Sequence, residues 1–338
     1  MRPAELLHPT PQGLYCPPGD FFIDPMASVG RAIVTHGHAD HARAGHGTVF
    51  ATPETLAIMA VRYGETFTEK RRPLAYGEVA EIGGVTVWLA PAGHVLGSAQ
   101  AVVEYKGLRM VVTGDYKRRR DPTCAPFEVV PCDVLISEAT FGLPVFRHPD
   151  TAGEARKLIR STEQFRDRAH LVGAYALGKA QRLICHLREE GYERPIFIHG
   201  AMKRLCTLYE DLGVPLGPLE PATVEKGRGQ KDRFAGEIVV CPPSALQSTW
   251  ARRFPDPVLA FASGWMRVRQ RARQRGVELP LIMSDHADWD ELTQTVEEVD
   301  PGELWVTHGR DDALVRWAEL EGRKAQALHL VGYEEEDD

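Results

Sequence analysis

No apolar run in this chain reaches the roughly 18 residues that a membrane-spanning helix needs, so no span is predicted. The opening MRPAELLHPTPQGLYC lacks the basic-then-apolar order of a signal peptide. Cysteine is sparse and scattered: Cys16, Cys124, Cys132, Cys185, Cys206 and Cys241 include no C-x-x-C pair. That argues against a disulfide framework and against a cysteine zinc site, and it favours a cytoplasmic location. No internal repeat or low-complexity linker interrupts the 338 residues, a length for one large or two medium domains. An excess of positive charge is missing too. The net charge of -7 argues against a general nucleic-acid binder. Placement qualifies that conclusion. The tail YEEEDD (333–338) is acidic, while YKRRRD (116–121) and MRVRQRARQR (266–275) are local basic runs that a polyanion can meet. The plain reading of either run is solvated surface charge.

Short apolar runs bounded by Gly, Pro or polar clusters predict strands at 31–35, 85–90, 98–105, 108–113, 133–137 and 303–307. Lys106-Gly107 between two of them signals a hairpin. Residues 52–64 predict a helix with Thr52 as N-cap and Pro53 at its first position. The middle of the chain changes style. Strand candidates at 170–175, 195–199, 237–241 and 258–263 alternate with helical segments at 178–191 and 201–213. That order implies βαβ units and a parallel sheet. The chain therefore reads as a mixed α/β part (1–145), an inserted parallel α/β module (146–280) and a closing segment (281–338).

What the chain does have is histidine at strand ends. IVTHGHADH places His36, His38, Asp40 and His41 directly after an apolar run. VVTGDY ends in Asp115, LISEATFG in Glu138, LIMSDHADW in Asp285, His286 and Asp288, and WVTHG in His308. His94 sits in the Gly-rich loop of WLAPAGHVLGS. A rigid sheet can aim several such side chains at one point. Imidazole and carboxylate donors suit zinc, manganese or iron. A lone strand-end histidine is usually an ordinary hydrogen-bonding residue, but H-x-H-x-D-H after five apolar residues has little structural purpose. It provides two ligands for one metal and two for a neighbour; Asp115 can bridge them, and His94 and His308 would complete the shells. His46, His148 and His199 lie near these segments and read as structural.

His36-x-His38-x-Asp40-His41, then His94, then Asp115, resembles the metallo-β-lactamase fold, an αββα sandwich. LISEATFG, GAYALGKAQRL (173–183), FASGW (261–265), SDHADW and VTHG are similar to its β-CASP nuclease branch, which carries an inserted α/β domain. GDYKRRRDPTCAPFEVVPCDVLISEATFGLPVFRHP looks like the bacterial DNA-ligase-associated exonucleases within that branch. The resemblance implies a metal-dependent exonuclease of DNA repair, associated with an ATP-dependent ligase and a helicase. It implies two divalent ions, Zn²⁺ or Mn²⁺: His36, His38 and His94 on one, Asp40, His41 and His308 on the other, Asp115 between them. Asp24, in FFIDP, matches an aspartate that supports the histidines from behind. Glu138 and His286 match the branch's carboxylate–histidine pair. The histidine at 308 is more usual of the RNA-processing members, so a ribonuclease is the competing expectation.

The chemistry expected is two-metal phosphodiester hydrolysis, with His286, oriented by Glu138, protonating the leaving oxygen. The inserted module is expected to line the substrate groove. Lys179 stands where a strand hands over to a helix, a position that favours phosphate. Ser263 and Trp265 stand at the next handover, where Trp265 can stack on a base or pack in the core. Arg267 opens a run with arginine at every second position, basic on one face if extended and wrapped round if helical. A small-molecule metallohydrolase and a non-catalytic scaffold are further alternatives; the inserted module opposes the first, the full ligand set the second.

Overall fold

A computed structural model describes residues 1–223, 233–274 and 276–329. The described residues divide into two compact units: Met1–Arg147 together with 286–329, and those within His148–Asp285.

In the first unit a short helix, α1 (Pro3–Leu6), precedes six strands that pair in chain order. They are β1 (His8–Thr10), β2 (Gly13–Cys16), β3 (Phe21–Ile23), β4 (Arg31–Ile33), β5 (His46–Ala51) and β6 (Thr68–Pro73). Helix α2 (Pro53–Tyr63) joins β5 to β6, with the Thr52 side chain accepting from Thr55 N and Pro53 in first place, as the sequence predicts. An antiparallel meander follows: β7 (Ala80–Ile82), β8 (Val85–Pro91), β9 (Ala99–Tyr105) and β10 (Leu108–Val112). Lys106 and Gly107 turn the β9–β10 hairpin with φ of 51° and 77°, the left-handed values that a tight two-residue turn requires. Strand β11 (Val134–Ala139) then pairs with β10 in parallel.

The second unit alternates helix and strand: α3 (Thr151–Gln164), β12 (His170–Gly173), α4 (Lys179–Glu189), β13 (Ile196–Ile198), α5 (Lys203–Asp211), β14 (Leu219–Pro221), β15 (Ile238–Cys241), β16 (Val258–Ala262), α6 (Arg269–Gln274) and β17 (Leu279–Leu281). Its sheet is wholly parallel in the order β14-β13-β15-β12-β16-β17. The first strand, β12, lies inside, so later strands are added on both sides of it. Four-residue apolar runs such as Ile238–Cys241 are buried throughout, as expected of a sheet covered on both faces. The unit's apolar contacts include Leu171, Phe197, Val239, Phe234 and Phe254.

Back in the first unit, α7 (Trp289–Val299), β18 (Glu303–Gly309), α8 (Asp311–Leu320) and β19 (Ala325–Ala327) complete the second sheet, in the order β19-β18-β11-β10-β9-β8-β7. Period-two alternation builds the layers. Val85, Val87 and Leu89, Met110 and Val112, and Val134 and Ile136 face the first sheet's Phe21, Ile23 and Ile33. The intervening Val102, Val111 and Leu135 turn outward onto Leu292 and Val296 of α7 and Leu314 of α8. On the far side, Ala32, Val34 and Val49 receive Leu56 and Met59 of α2. Helix, sheet, sheet, helix is the αββα sandwich. Each such buried aliphatic side chain contributes roughly 1.5–3 kcal/mol. Among the described residues no helix is long and apolar enough to cross a membrane.

Candidate metal centre

Strand β4 stops at Ile33, though Val34 N still donates to Phe50 O at 2.9 Å. Beyond it the chain does not stay extended. His41 N and Ala42 N both donate to His38 O (3.2 and 2.8 Å), closing a turn that returns Asp40 and His41 towards His36. Arg62, in the last turn of α2, donates to Gly37 O and holds the middle of the H-x-H segment. Asp24 follows β3 with φ of 45°. Its carboxylate accepts from Thr35 N (2.8 Å), Thr35 Oγ1 (2.6 Å) and His41 Nδ1 (2.8 Å). Donation from Nδ1 leaves the lone pair of His41 on Nε2, the atom that faces Asp115 at 3.4 Å.

Two other loops deliver the remaining donors. His94 lies in a turn pinned by Ser98, whose Oγ accepts from His94 N and Val95 N (3.0 and 3.2 Å). Asp115 follows Gly114, which has φ of 54°; a Cβ there would stand 2.7 Å from Thr35 Oγ1, so only glycine lets this loop approach the histidine segment. One nitrogen each of His36, His38 and His94 and one oxygen of Asp115 all lie within 4.8 Å of one another. The three rings stand nearly perpendicular in pairs, at 86°, 83° and 79°. His36, Asp40 and His41 form a second such group. Asp115 Oδ2 faces both, 3.4 Å from His36 Nε2, 3.4 Å from His41 Nε2 and 3.8 Å from His94 Nε2. His308, next to last in β18, lies in the left-handed region (φ 59°), and its ring stacks on His41 at 5.1 Å.

Burial holds His36 well below the ordinary histidine range, and the His41 and His94 charges push the same way. Burial likewise pulls His308 down to about 4, helped by His41. His41 behaves oppositely: burial opposes its charge, but Asp115 and Asp40 outweigh it and hold it well above the usual value. Burial would raise Asp115, yet His41 and His286 keep it well below the carboxylate range. His36 and His308 are thus held neutral as coordination requires, while His41 would give up its proton as a cation binds. Asp40 Oδ1 is buried and meets no hydrogen-bond donor. A buried carboxylate oxygen is costly unless something positive meets it. This nitrogen and oxygen donor set fits a divalent cation such as zinc or manganese.

Beside this cluster stands Glu138, fully buried on β11. Its Oε1 accepts from Tyr116 N at 2.7 Å, and its two oxygens lie 3.0 and 3.3 Å from His286 Nδ1. The His286 ring packs 4.7 Å from that of His94, and its Nδ1 is 4.0 Å from Asp115 Oδ2. All ten of the metal, carboxylate and proton-donor candidates named from sequence thus gather in the first unit: Asp24, His36, His38, Asp40, His41, His94, Asp115, Glu138, His286 and His308.

The second-unit candidates fare differently. Lys179 is not a free point charge for phosphate. It is buried, and its ammonium is committed to the Asp285 carboxylate, with Met283 O at 3.4 Å. Ser263 Oγ accepts from Trp265 N at 3.3 Å and caps a short turn, Gly264–Arg267. The Arg271 guanidinium lies 4.0 Å over the half-buried Trp265 ring. Arg267 is exposed. The arginine run is helical, not extended: α6 buries Ala272 and splays its arginines round the axis. Arg275 of that run and the acidic tail at 333–338 lie outside the described residues.

The other basic run is in part ion-paired. Lys117 is buried against Glu291 (2.6 Å), Arg118 pairs with Glu298, and Arg119 with Asp288 (2.7 Å). Tyr116 and Lys117 are buried and Arg118 is half-buried, whereas Arg119 and Arg120 are exposed. Sequence reasoning missed Lys117 and Glu291, which flank the site; the signal available was a lysine two residues after Asp115, where the surrounding arginines disguised it. Asp288 proves to be the N-cap of α7, its side chain accepting from Glu291 N.

Residues 28–167 match the metallo-beta-lactamase superfamily. The chain is a metallo-β-lactamase protein of the β-CASP nuclease branch. A probable DNA ligase of Opitutus terrae is 30% identical over 90% of this chain and 30% of its own length. Subunit 3-I of the cleavage and polyadenylation specificity factor of Arabidopsis thaliana is 29% identical over 92% of this chain and 55% of its own. Endoribonuclease ysh-1 of Neurospora crassa is 30% identical over 60% and 28%. This metallo-β-lactamase chain thus spans under a third of the ligase and of ysh-1, and about half of subunit 3-I. A crystal structure of a protein of unknown function from Enterococcus faecalis V583 shares the fold, with a TM-score of 0.55 at 14% identity, covering 82% of this chain and 74% of that one.

Proposed function

We propose that this chain is a metal-dependent phosphodiesterase, an exonuclease that hydrolyses DNA during repair in the cytoplasm, in association with an ATP-dependent DNA ligase and a helicase. The observation that carries the hydrolytic reading is the Glu138–His286 pair set directly against a buried histidine–aspartate cluster. The DNA reading is supported by the probable DNA ligase that matches 90% of this chain.

In this reading His36, His38 and His94 hold one divalent cation, Zn²⁺ or Mn²⁺. Asp40, His41 and His308 hold a second, and Asp115 serves both. When bound, such a pair supplies an activated water and neutralises charge building on the phosphoryl oxygens. The chain's own residues do the remainder. Asp24 fixes the tautomer and aim of His41. Glu138 takes the Nδ1–H of His286 and orients the ring, so that Nε2 can hold a proton for the leaving sugar oxygen. Arg267, exposed in the second unit, is assigned to backbone phosphate.

The test uses purified protein, Mn²⁺ or Zn²⁺, and labelled single- and double-stranded DNA and RNA. Mononucleotides released from DNA with RNA spared are the expected result. Preferential cleavage of RNA would overturn the DNA assignment in favour of a ribonuclease, the reading that His308 and the endoribonuclease relatives favour. Inertness towards every nucleic acid would favour a small-molecule metallohydrolase instead. His286→Ala is expected to keep its metal and to lose turnover about a hundredfold or more.

A further inference from the structure

We propose that Lys117 is a positioning residue for His286. The inference rests on the reading of His286 as proton donor and deepens it.

The Lys117 ammonium donates to the backbone carbonyl oxygen of His286 at 3.0 Å and to Glu291 Oε2 at 2.6 Å, with the residue 3% exposed. Burying an ammonium costs several kcal/mol, so its partners must repay a real penalty. Neutralising Glu291 does not by itself explain the expense. That carboxylate already accepts from Arg118 N (3.0 Å), Arg119 N (2.7 Å) and Asp288 N (3.1 Å), and the Arg119 guanidinium lies 4.0 Å away. What Lys117 adds is a charged donor on the backbone of the proton-donor residue.

The neighbouring contacts share that direction. Tyr116 N donates to Glu138 Oε1, the carboxylate that faces the His286 ring. Ala287 N donates to Tyr116 O at 2.6 Å. Lys117 N donates to Ala92 O at 3.0 Å. Gly93 lies so close that a Cβ there would stand 2.2 Å from Lys117 O. His286 is therefore held at its ring by Glu138 and at its backbone by Lys117, from a stretch of chain that begins at Asp115. A carbonyl released from this clamp lets the ring drift from the leaving oxygen, and a misplacement of about 1 Å can cost on the order of a hundredfold in rate.

The experiment separates positioning from packing. Lys117→Met alone takes from a buried carboxylate its ammonium partner, so it is paired with the double variant Lys117→Met/Glu291→Gln, which removes both charges. Two substrates are compared: DNA, and the p-nitrophenyl ester of thymidine 5′-monophosphate, whose leaving group departs without a proton. The double variant is expected to recover much of the Tm lost in Lys117→Met, and to bind as much metal as the unsubstituted protein. It should still lose kcat on DNA about 10- to 100-fold, with KM little changed, and lose less than about threefold on the p-nitrophenyl ester. Equal losses on the two substrates, or kcat on DNA recovering together with Tm, would show Lys117 to be structural only. His286→Ala is run alongside. If it shows no split between the substrates, the proton-donor reading fails and the inference falls with it. If His286→Ala shows the split and the double variant does not, the positioning role alone is refuted.

Discussion

Two buried polar clusters adjoin each other in the first unit, and they solve the same problem differently. Around Lys117 and Glu291 every charge meets an opposite charge or a backbone amide of the protein itself. Around Asp115 imidazoles and carboxylates crowd together as potential ligands, His36, His38, His94, Asp40 and His41 among them. The first cluster is complete as polypeptide. The second offers a donor set that suits a cation from outside. Residues 115 and 117 belong to opposite kinds of cluster although they are two apart, so charge in the sequence does not by itself say whether a site is finished.

Breaking the unfinished cluster should have the largest effect. Asp115→Ala removes the one oxygen that faces both histidine groups. Activity is expected to fall by about a thousandfold or more, with bound metal lost in elemental analysis, because metal charge stabilisation supplies several kcal/mol. Retained metal with full turnover would show that Asp115 does not serve both groups.

Breaking the finished cluster should cost the fold instead. Glu291→Gln is expected to lower the unfolding free energy by about 3–5 kcal/mol, measured by denaturant titration with metal present, because it leaves the Lys117 ammonium buried beside an uncharged partner. A loss of less than about 1 kcal/mol would mean that the pair contributes little to stability. Asp24→Asn tests the support behind His41. It keeps the shape but not the charge, and metal affinity should weaken about 10- to 100-fold in a competition titration.

The smallest effect concerns acid. Burial would raise the Glu291 carboxyl, but Lys117 outweighs it and holds it below 4.5. A carboxyl depressed on folding stabilises the protein fully above its unfolded value, and that contribution is lost as pH falls through the folded value. The stability gap between the unsubstituted protein and Glu291→Gln should therefore be flat above pH 4.5 and narrow below it. A gap that holds constant to pH 3 would exclude this linkage.

Much of the fold is legible because it follows from local period and turn chemistry. Val85-Thr86-Val87-Trp88-Leu89 alternates in the sequence and alternates in burial. Thr52-Pro53 starts a helix and Lys106-Gly107 turns a hairpin where the residue types require. The metal cluster is legible because imidazoles at strand ends have few other uses. Long-range pairing is not legible. Lys117 and Glu291 lie 174 positions apart, and nothing near either announces the other. Lys179 beside Asp285 was hidden in the same way, by 106 positions. The arginine run at 267–274 alternates like a strand, but alternation in arginines carries no apolar face to bury, and the single inward Ala272 is compatible with a helix.

The left-handed backbone at His308 has a consequence for how changes at that position are interpreted. With φ of 59°, the site accepts glycine, asparagine, aspartate or histidine at small cost, whereas a β-branched residue there is a severe outlier. A valine at 308 would strain the end of β18 before any chemistry was asked of it, and asparagine would not. Two substitutions that look equally destructive in an activity table would thus report different things, one a lost imidazole and the other a rebuilt loop. A β-branched residue placed here would therefore test the main chain as much as the missing imidazole.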